Sequence, residues 1–302
     1  MDWGGIVLCT ALLVWYYGFY SGYTCGMQTA LEWLRCSWNR ENDYEHGGIV
    51  LLVSAYMVFH ACREMEDEKP QRGPWGLALV VLGGLLALLA ARTQQGRVAI
   101  GALPFLLTGL VWYYIGGRAA RGCAFPFFFL WLSIPLPGFQ QATVGMQLLA
   151  TEGAQWGASL FGVQTVVEGT NISSASGQWG GSFNIAGGCS GMRSLMALLM
   201  LSVAWGYLAS SLALWKRILL GLSAIPISIV ANAFRLASIL VLSEYVDGAF
   251  AGKTWHDWSG MVFFFPASML ILLVLHGVLA GEIPFLKKRR VVVRMNREED
   301  VK

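Results

Sequence analysis

Apolar stretches long enough to cross a hydrocarbon core of about 30 Å recur along this chain, at residues 4–22, 47–62, 75–91, 98–115, 122–137, 191–212, 214–244 and 258–280. In lipid each such run must satisfy its own backbone, and a helix does so within the segment. The expected fold is all-α, a polytopic membrane helix bundle of about eight transmembrane helices. Composition agrees. Of the 302 residues 56% are hydrophobic and 13% charged, against roughly 25% charged in soluble domains. A net charge of +3 is too small to suggest a nucleic-acid partner, and 13 Trp with 10 Tyr suit a protein with two membrane interfaces to anchor.

Orientation follows from the basic residues, which cytoplasmic loops carry in excess. With the N-terminus inside, the inner segments hold Arg63, Lys69, Arg72, Arg118, Arg121, Lys216, Arg217 and the basic residues of the tail from Lys287 to Lys302. The outer segments hold only Arg35, Arg40, Arg92, Arg97 and Lys253. From Gly122 to Met192 there is no Lys or Arg, so this stretch belongs outside or within the membrane. Between Pro135 and Phe161 it is helically periodic but too polar to span, and reads as a surface or re-entrant helix. From Val163 to Ile185 it reads as a small extracytoplasmic hairpin or ribbon before the sixth helix. The first run, Ile6 to Tyr20, lacks a basic leader and a small-residue cleavage site and reads as a retained helix. Residues 1–286 form one membrane domain and 287–302 a basic cytoplasmic tail that anchors to lipid headgroups.

The six cysteines show no zinc-type spacing, so no metal or cofactor is expected. Cys25 and Cys36 can pair if both lie outside; unpaired thiols are the equal alternative. Charges inside a membrane are costly and mark functional positions. Arg193 stands one turn into the sixth helix, and Arg235 lies about 13 Å below the outer surface if the seventh helix emerges near Glu244. Cys189, in Gly187-Gly188-Cys189-Ser190-Gly191, immediately precedes the sixth helix, where unpaired N–H groups and the helix dipole favour a thiolate. His256, in the Trp255-His256-Asp257-Trp258 segment, is placed in the loop before the eighth helix, where it can exchange protons near neutral pH. The alternating helix directions bring Cys189, Arg235 and His256 to one membrane face. His46, after the acidic run Glu41, Asp43 and Glu45, reads as a solvated loop residue. His60 and His276 read as structural.

Three segments, GGCSGMRSL (Gly187 to Leu195), NAFR (Asn232 to Arg235) and HDWSG (His256 to Gly260), occur in this order on consecutive helices. With Trp38 to Tyr56 and the proline turn Ser133 to Pro137, they make the chain resemble the exosortase/archaeosortase family of membrane transpeptidases. That resemblance implies a catalytic set of Cys189, Arg235 and His256. It also implies substrates that are exported proteins with a C-terminal sorting signal: a short motif such as Pro-Glu-Pro, a transmembrane helix and a basic tail. The cleaved protein would pass to an acceptor whose identity the chain does not reveal, at the outer face of a bacterial cytoplasmic membrane. The histidine follows bacterial members, where archaeal ones often carry arginine. Arg193 is the candidate to bind the signal's glutamate, and Asn232, one turn before Arg235, is the candidate to orient it.

The principal rival is a transporter or polymer-export component binding an anionic substrate through Arg193 and Arg235. It would not need Cys189, and the internal repeat of many carriers is not evident. A membrane scaffold would leave both arginines unexplained. No GxSxG, HExxH or paired intramembrane aspartates point to another protease.

Overall fold

The computed structural model describes residues 3–23, 28–39, 42–63, 73–135, 139–177, 179, 182–185 and 191–281. Cys25, Cys189 and the tail 287–302 therefore lie outside the described residues. The architecture is an all-α membrane helix bundle with a few short strands. In chain order, α1 is Trp3–Gly18, a two-stranded ribbon joins β1 (Ser21–Tyr23) to β2 (Gln28–Thr29), and α2 is Ala30–Ser37. Next come α3 Gly47–Arg63, α4 Pro74–Thr93, α5 Gly96–Tyr114, and α6 Gly117–Phe129 with a 3-10 turn at Leu130–Ser133. Then α7 Phe139–Ser159 leads into a three-stranded antiparallel sheet of β3 (Thr165–Glu168), β4 (Asn171–Ser174) and β5 (Ser182–Asn184). The chain continues with α8 Met192–Leu208, α9 Leu214–Tyr245 and α10 Phe250–Ala280.

Among the described residues four helices, α4, α5, α9 and α10, are long and apolar enough to cross a membrane, and α1, α3 and α8 are shorter apolar helices. The eight apolar runs of the sequence correspond to these seven helices and α6. Boundaries shift where a turn extends a run: α10 begins at Phe250, eight residues ahead of the run at 258, because two π turns at Phe250–Trp255 and Gly260–Phe264 keep the segment helical. His256 therefore lies within a helix and not in a loop. α2 was not apparent as a separate element, although Thr29 and Glu32 form a reciprocal capping box at its start.

The aromatic residues of α1 and β1 dock the N-terminal helix. Tyr16 and Tyr17 donate to the Ala87 and Ala99 carbonyls, tying α1 to α4 and α5. Tyr20 stacks on Tyr16 at 5.7 Å, and Tyr23 is fully buried beside them. At the opposite end, the Lys216 amine donates to the Leu279 carbonyl at 2.5 Å and Arg217 Nε to the Leu212 carbonyl at 2.7 Å. The end of α8, the start of α9 and the end of α10 thus share one face of the bundle. The starts of α8 and α10 and the end of α9 share the other.

α7 packs along that second end of α9. A Cβ at Gly153 would stand 2.8 Å from Ala233 Cβ, and one at Gly157 would stand 2.7 Å from Ala237 Cβ. The paired contacts advance one turn on each helix in the same order, so the two helices run in the same sense. Glycines here allow the close approach by which small residues join membrane helices. The sheet closes over this end. Ile172 and Ile185 are buried with Ala154, Ala158, Leu236 and Ala251, while Phe183, Trp179 and Trp255 pack around them. The ribbon expected between Val163 and Ile185 is this sheet, with Gly169 at φ +64° supplying its first tight turn. Ser174 and Ser176 donate to the Glu244 carboxylate at 2.9 and 2.7 Å and fasten the sheet to α9.

Candidate functional site

The C-terminal half of α9 carries two polar groups on one face, Asn232 and Arg235, three residues apart. Asn232 is buried and touches the start of α8: a Cβ at Gly191 would lie 2.8 Å from Asn232 Cγ. Gly191 also has φ +81°, so both its backbone conformation and its neighbour require glycine. It stands two residues after Cys189, which itself lies outside the described residues.

Arg235 reaches across to α10. Its Nη2 donates to the His256 carbonyl at 2.8 Å and its Nε to Ser259 Oγ at 3.4 Å. Gly260 approaches the guanidinium so closely that a Cβ would lie 3.2 Å from its central carbon. Trp255 Nε1 donates to Ser238 Oγ at 2.9 Å, adding a second tie one turn further along α9. The His256 ring meets Asp257, Nδ1 to Oδ1, at 3.2 Å, with its side chain 30% exposed. The two π turns flank this segment; each inserts an extra residue into the helical ladder, a distortion frequent at functional sites.

Below Arg235 a cleft separates α9 from α8 and α10. Ser194, Ser228, Asn232, Arg235, Gly260 and Ser268 supply its polar and small walls, and its free volume is ≈ 10 Å³, about enough for one water. Ser228 is buried, and its Oγ has no hydrogen-bond partner among the described residues. Several other hydroxyls on these helices bond back to a carbonyl one turn earlier, as Ser243 does to Ile239 and Ser268 to Phe264.

Arg193 points to a different part of the protein. Its Nε donates to Asp43 Oδ1 at 2.9 Å and its Nη1 stands 3.6 Å from Glu45 Oε2. Asp43 is buried and adopts φ +57°, a conformation aspartate tolerates better than most residues. Next to it Tyr44 is fully buried and stacks on His46, ring centroids 5.2 Å apart. His46 is therefore not a solvated loop residue. Its Nε2 is buried without a partner among the described residues, and burial holds its pKa below the ordinary histidine value, against a smaller upward pull from Glu45. The segment is fixed from below by Trp38, which lies against Gly47 and donates to the Ser133 carbonyl at 2.9 Å.

The arrangement thus brings Asn232, Arg235 and His256 together beside the start of α8, and ties Arg193 to the loop before α3. Among the described residues no three His, Cys, Asp or Glu side chains group as a metal site would require. Asp43, Ser228 and Ser259 were not singled out from sequence. Ser259 lies within the HDWSG segment, and Asp43 within the acidic run; nothing in the pattern marks Ser228.

The family model for transmembrane exosortases matches residues 38–274. The chain belongs to that family. The match begins at Trp38 and ends within α10, so it takes in the α8, α9 and α10 segments and every candidate site residue, and leaves α1 and α2 outside. No curated protein and no solved structure gives a significant match.

Proposed function

We propose that this exosortase is a cysteine-dependent membrane protease and transpeptidase that cuts C-terminal sorting signals of exported proteins at the extracytoplasmic face. The observation that carries the reading is the bond from Arg235 Nη2 to the His256 carbonyl. It joins two of the three implied catalytic residues, and Asn232 lies against Gly191, which follows the third by two residues in sequence. The Cys189 thiolate attacks the scissile carbonyl, and the negative charge moves onto that oxygen. Arg235, always cationic and with a forked donor set, stabilises it. The C–N bond breaks as His256, having taken the thiol proton, returns it to the leaving amine. An acceptor nucleophile then attacks the thioester, releasing the product and the thiol.

Asp257, at hydrogen-bonding distance from His256, orients the ring. Arg193 binds the signal's glutamate through the edge that faces Glu45, its longer and more exposed contact, while Asp43 stays bonded. The inner face of the bundle, where Lys216 and Arg217 lie, is cytoplasmic, and the charge distribution of the whole chain supports that orientation.

The test is a reporter ending in Pro-Glu-Pro, an apolar helix and a basic tail, co-expressed with the protein. Replacing Cys189 with Ala or Ser abolishes its processing. Unchanged processing in both variants would end the thiol mechanism.

A further inference from the structure

A second cavity adjoins the polar cleft. It lies between α9 and α10, has a volume of ≈ 440 Å³, and is walled by Pro226, Ile227, Val230, Phe234, Ala267 and Ile271. Ala231, Phe264 and Ser268 line both spaces, so the apolar groove continues directly into the cleft that holds Asn232 and Arg235. Val230, Phe234 and Ile271 are about half exposed, so the groove opens sideways from the bundle. Two features of the helices create it. Pro226 removes a backbone donor from α9, and the π turn at Gly260–Phe264 widens α10 where the two cavities meet.

Geometry and polarity narrow the occupant. A lipid chain would fill the apolar part but offers nothing to the cleft above it. A transmembrane helix begins with backbone N–H groups that have no partner within the helix, and in a membrane each needs an acceptor. The cleft presents such acceptors by way of a bridging water, above all Ser228 Oγ, which is buried and has no partner among the described residues. Ser228 lies seven residues below Arg235 on α9, about 10 Å deeper. A peptide whose scissile carbonyl rests at Arg235 and whose chain continues into the membrane would bring its first helical turn to that depth. The floor of Ala231, Ala267 and Ser268 lets another helix approach closely.

We infer that the α9/α10 groove receives the transmembrane helix of the sorting signal, with the first turn of that helix at the mouth of the serine-lined cleft and linked to it through the one water the cleft has room for. This rests on the proposed cleavage of such signals.

The experiment uses the full-length protein in native membranes with the same reporter, tagged on its basic tail so that cut and uncut forms are both scored. A photocrosslinking amino acid replaces Val230 or Ile271 in the groove, or Leu85 or Leu88 on the lipid-facing side of α4, which are 60% and 65% exposed. Crosslinks to the tagged helix from the groove positions and not from α4 are the expected result. Equal crosslinking from α4, or crosslinks from the groove only to lipid, overturns the inference. Ser228→Ala should raise the KM for the reporter about fivefold with kcat unchanged, the loss of one hydrogen bond of about 1 kcal/mol; an unaltered KM argues against the cleft contact. Continued processing by the Cys189→Ala variant would defeat the thiol reading and leave the crosslinking result standing.

Discussion

Arg193 and Asp43, 150 residues apart in sequence, meet at 2.9 Å and join the start of α8 to the loop before α3. Asp43 is buried and the Arg193 side chain is 39% exposed, so the pair is neither a surface ion pair nor fully desolvated. Asp43→Asn keeps a residue that tolerates the left-handed backbone and removes only the charge. Asp43→Asn and Arg193→Gln should each lower stability by about 1–2 kcal/mol, the double variant by less than the sum. Thermal unfolding of the four proteins in detergent measures this; strict additivity would show that the contact contributes nothing.

Two glycines on α7 should respond oppositely to the same substitution. Among the described residues nothing lies within 4 Å of a Cβ added at Gly145, whereas at Gly157 it would stand 2.7 Å from Ala237 Cβ. Gly145→Ala should stabilise by about 0.5–1 kcal/mol, as alanine does in a helix interior. Gly157→Ala should destabilise by about 1–3 kcal/mol through overpacking. Unfolding midpoints of the same sign in both would contradict the close α7–α9 contact.

Arg235→Lys should reduce reporter processing by about a hundredfold or more, the scale seen when one oxyanion donor is lost. An ammonium cannot hold the His256 carbonyl and Ser259 while presenting a planar fork to substrate. Single-turnover rates on purified protein are the readout, and wild-type rates in the variant would make the arginine structural.

His46 should make the fold sensitive to acid. Its folded pKa lies below the unfolded value of 6.5, because burial disfavours the charged ring. The unfolded chain therefore binds the extra proton first. Stability is complete above about pH 6.5 and declines as pH falls toward the folded pKa. His46→Phe, which can keep the stacking on Tyr44, should flatten the loss of melting temperature between about pH 7.5 and 5.5. An equally steep loss in that variant would exclude His46 as its source.

Most of the helices were legible because apolar length is what a membrane selects, and runs such as 214–244 translate almost directly into α9. Asn232 and Arg235 were legible for the complementary reason: polar side chains stand out on an apolar helix. Other features depend on partners distant in sequence. The apolar pattern gave no reason to start a helix at Phe250, since that segment is helical only through π turns. The Gly153-x-x-x-Gly157 spacing was present as a packing signal, but its partners Ala233 and Ala237 appear only once α7 lies on α9. His46 looked solvated because its neighbours are acidic; Arg193, arriving from α8, neutralises them, and Tyr44 covers the ring.

The two π turns of α10 amount to extra residues carried within an otherwise regular helix. Each residue turns an α-helix by about 100°, so a residue removed from the regular turns after Phe264 would swing everything beyond it, whereas one removed from Gly260–Phe264 would be absorbed as that π turn reverted to ordinary winding. Ser268, which lines the cleft with Arg235, would leave it in the first case and keep its place in the second. The phase relation between the His256 segment and the apolar wall that follows it is thus set by residue count. Within this helix a one-residue deletion is mild at the π turns and disruptive in the regular turns that follow them.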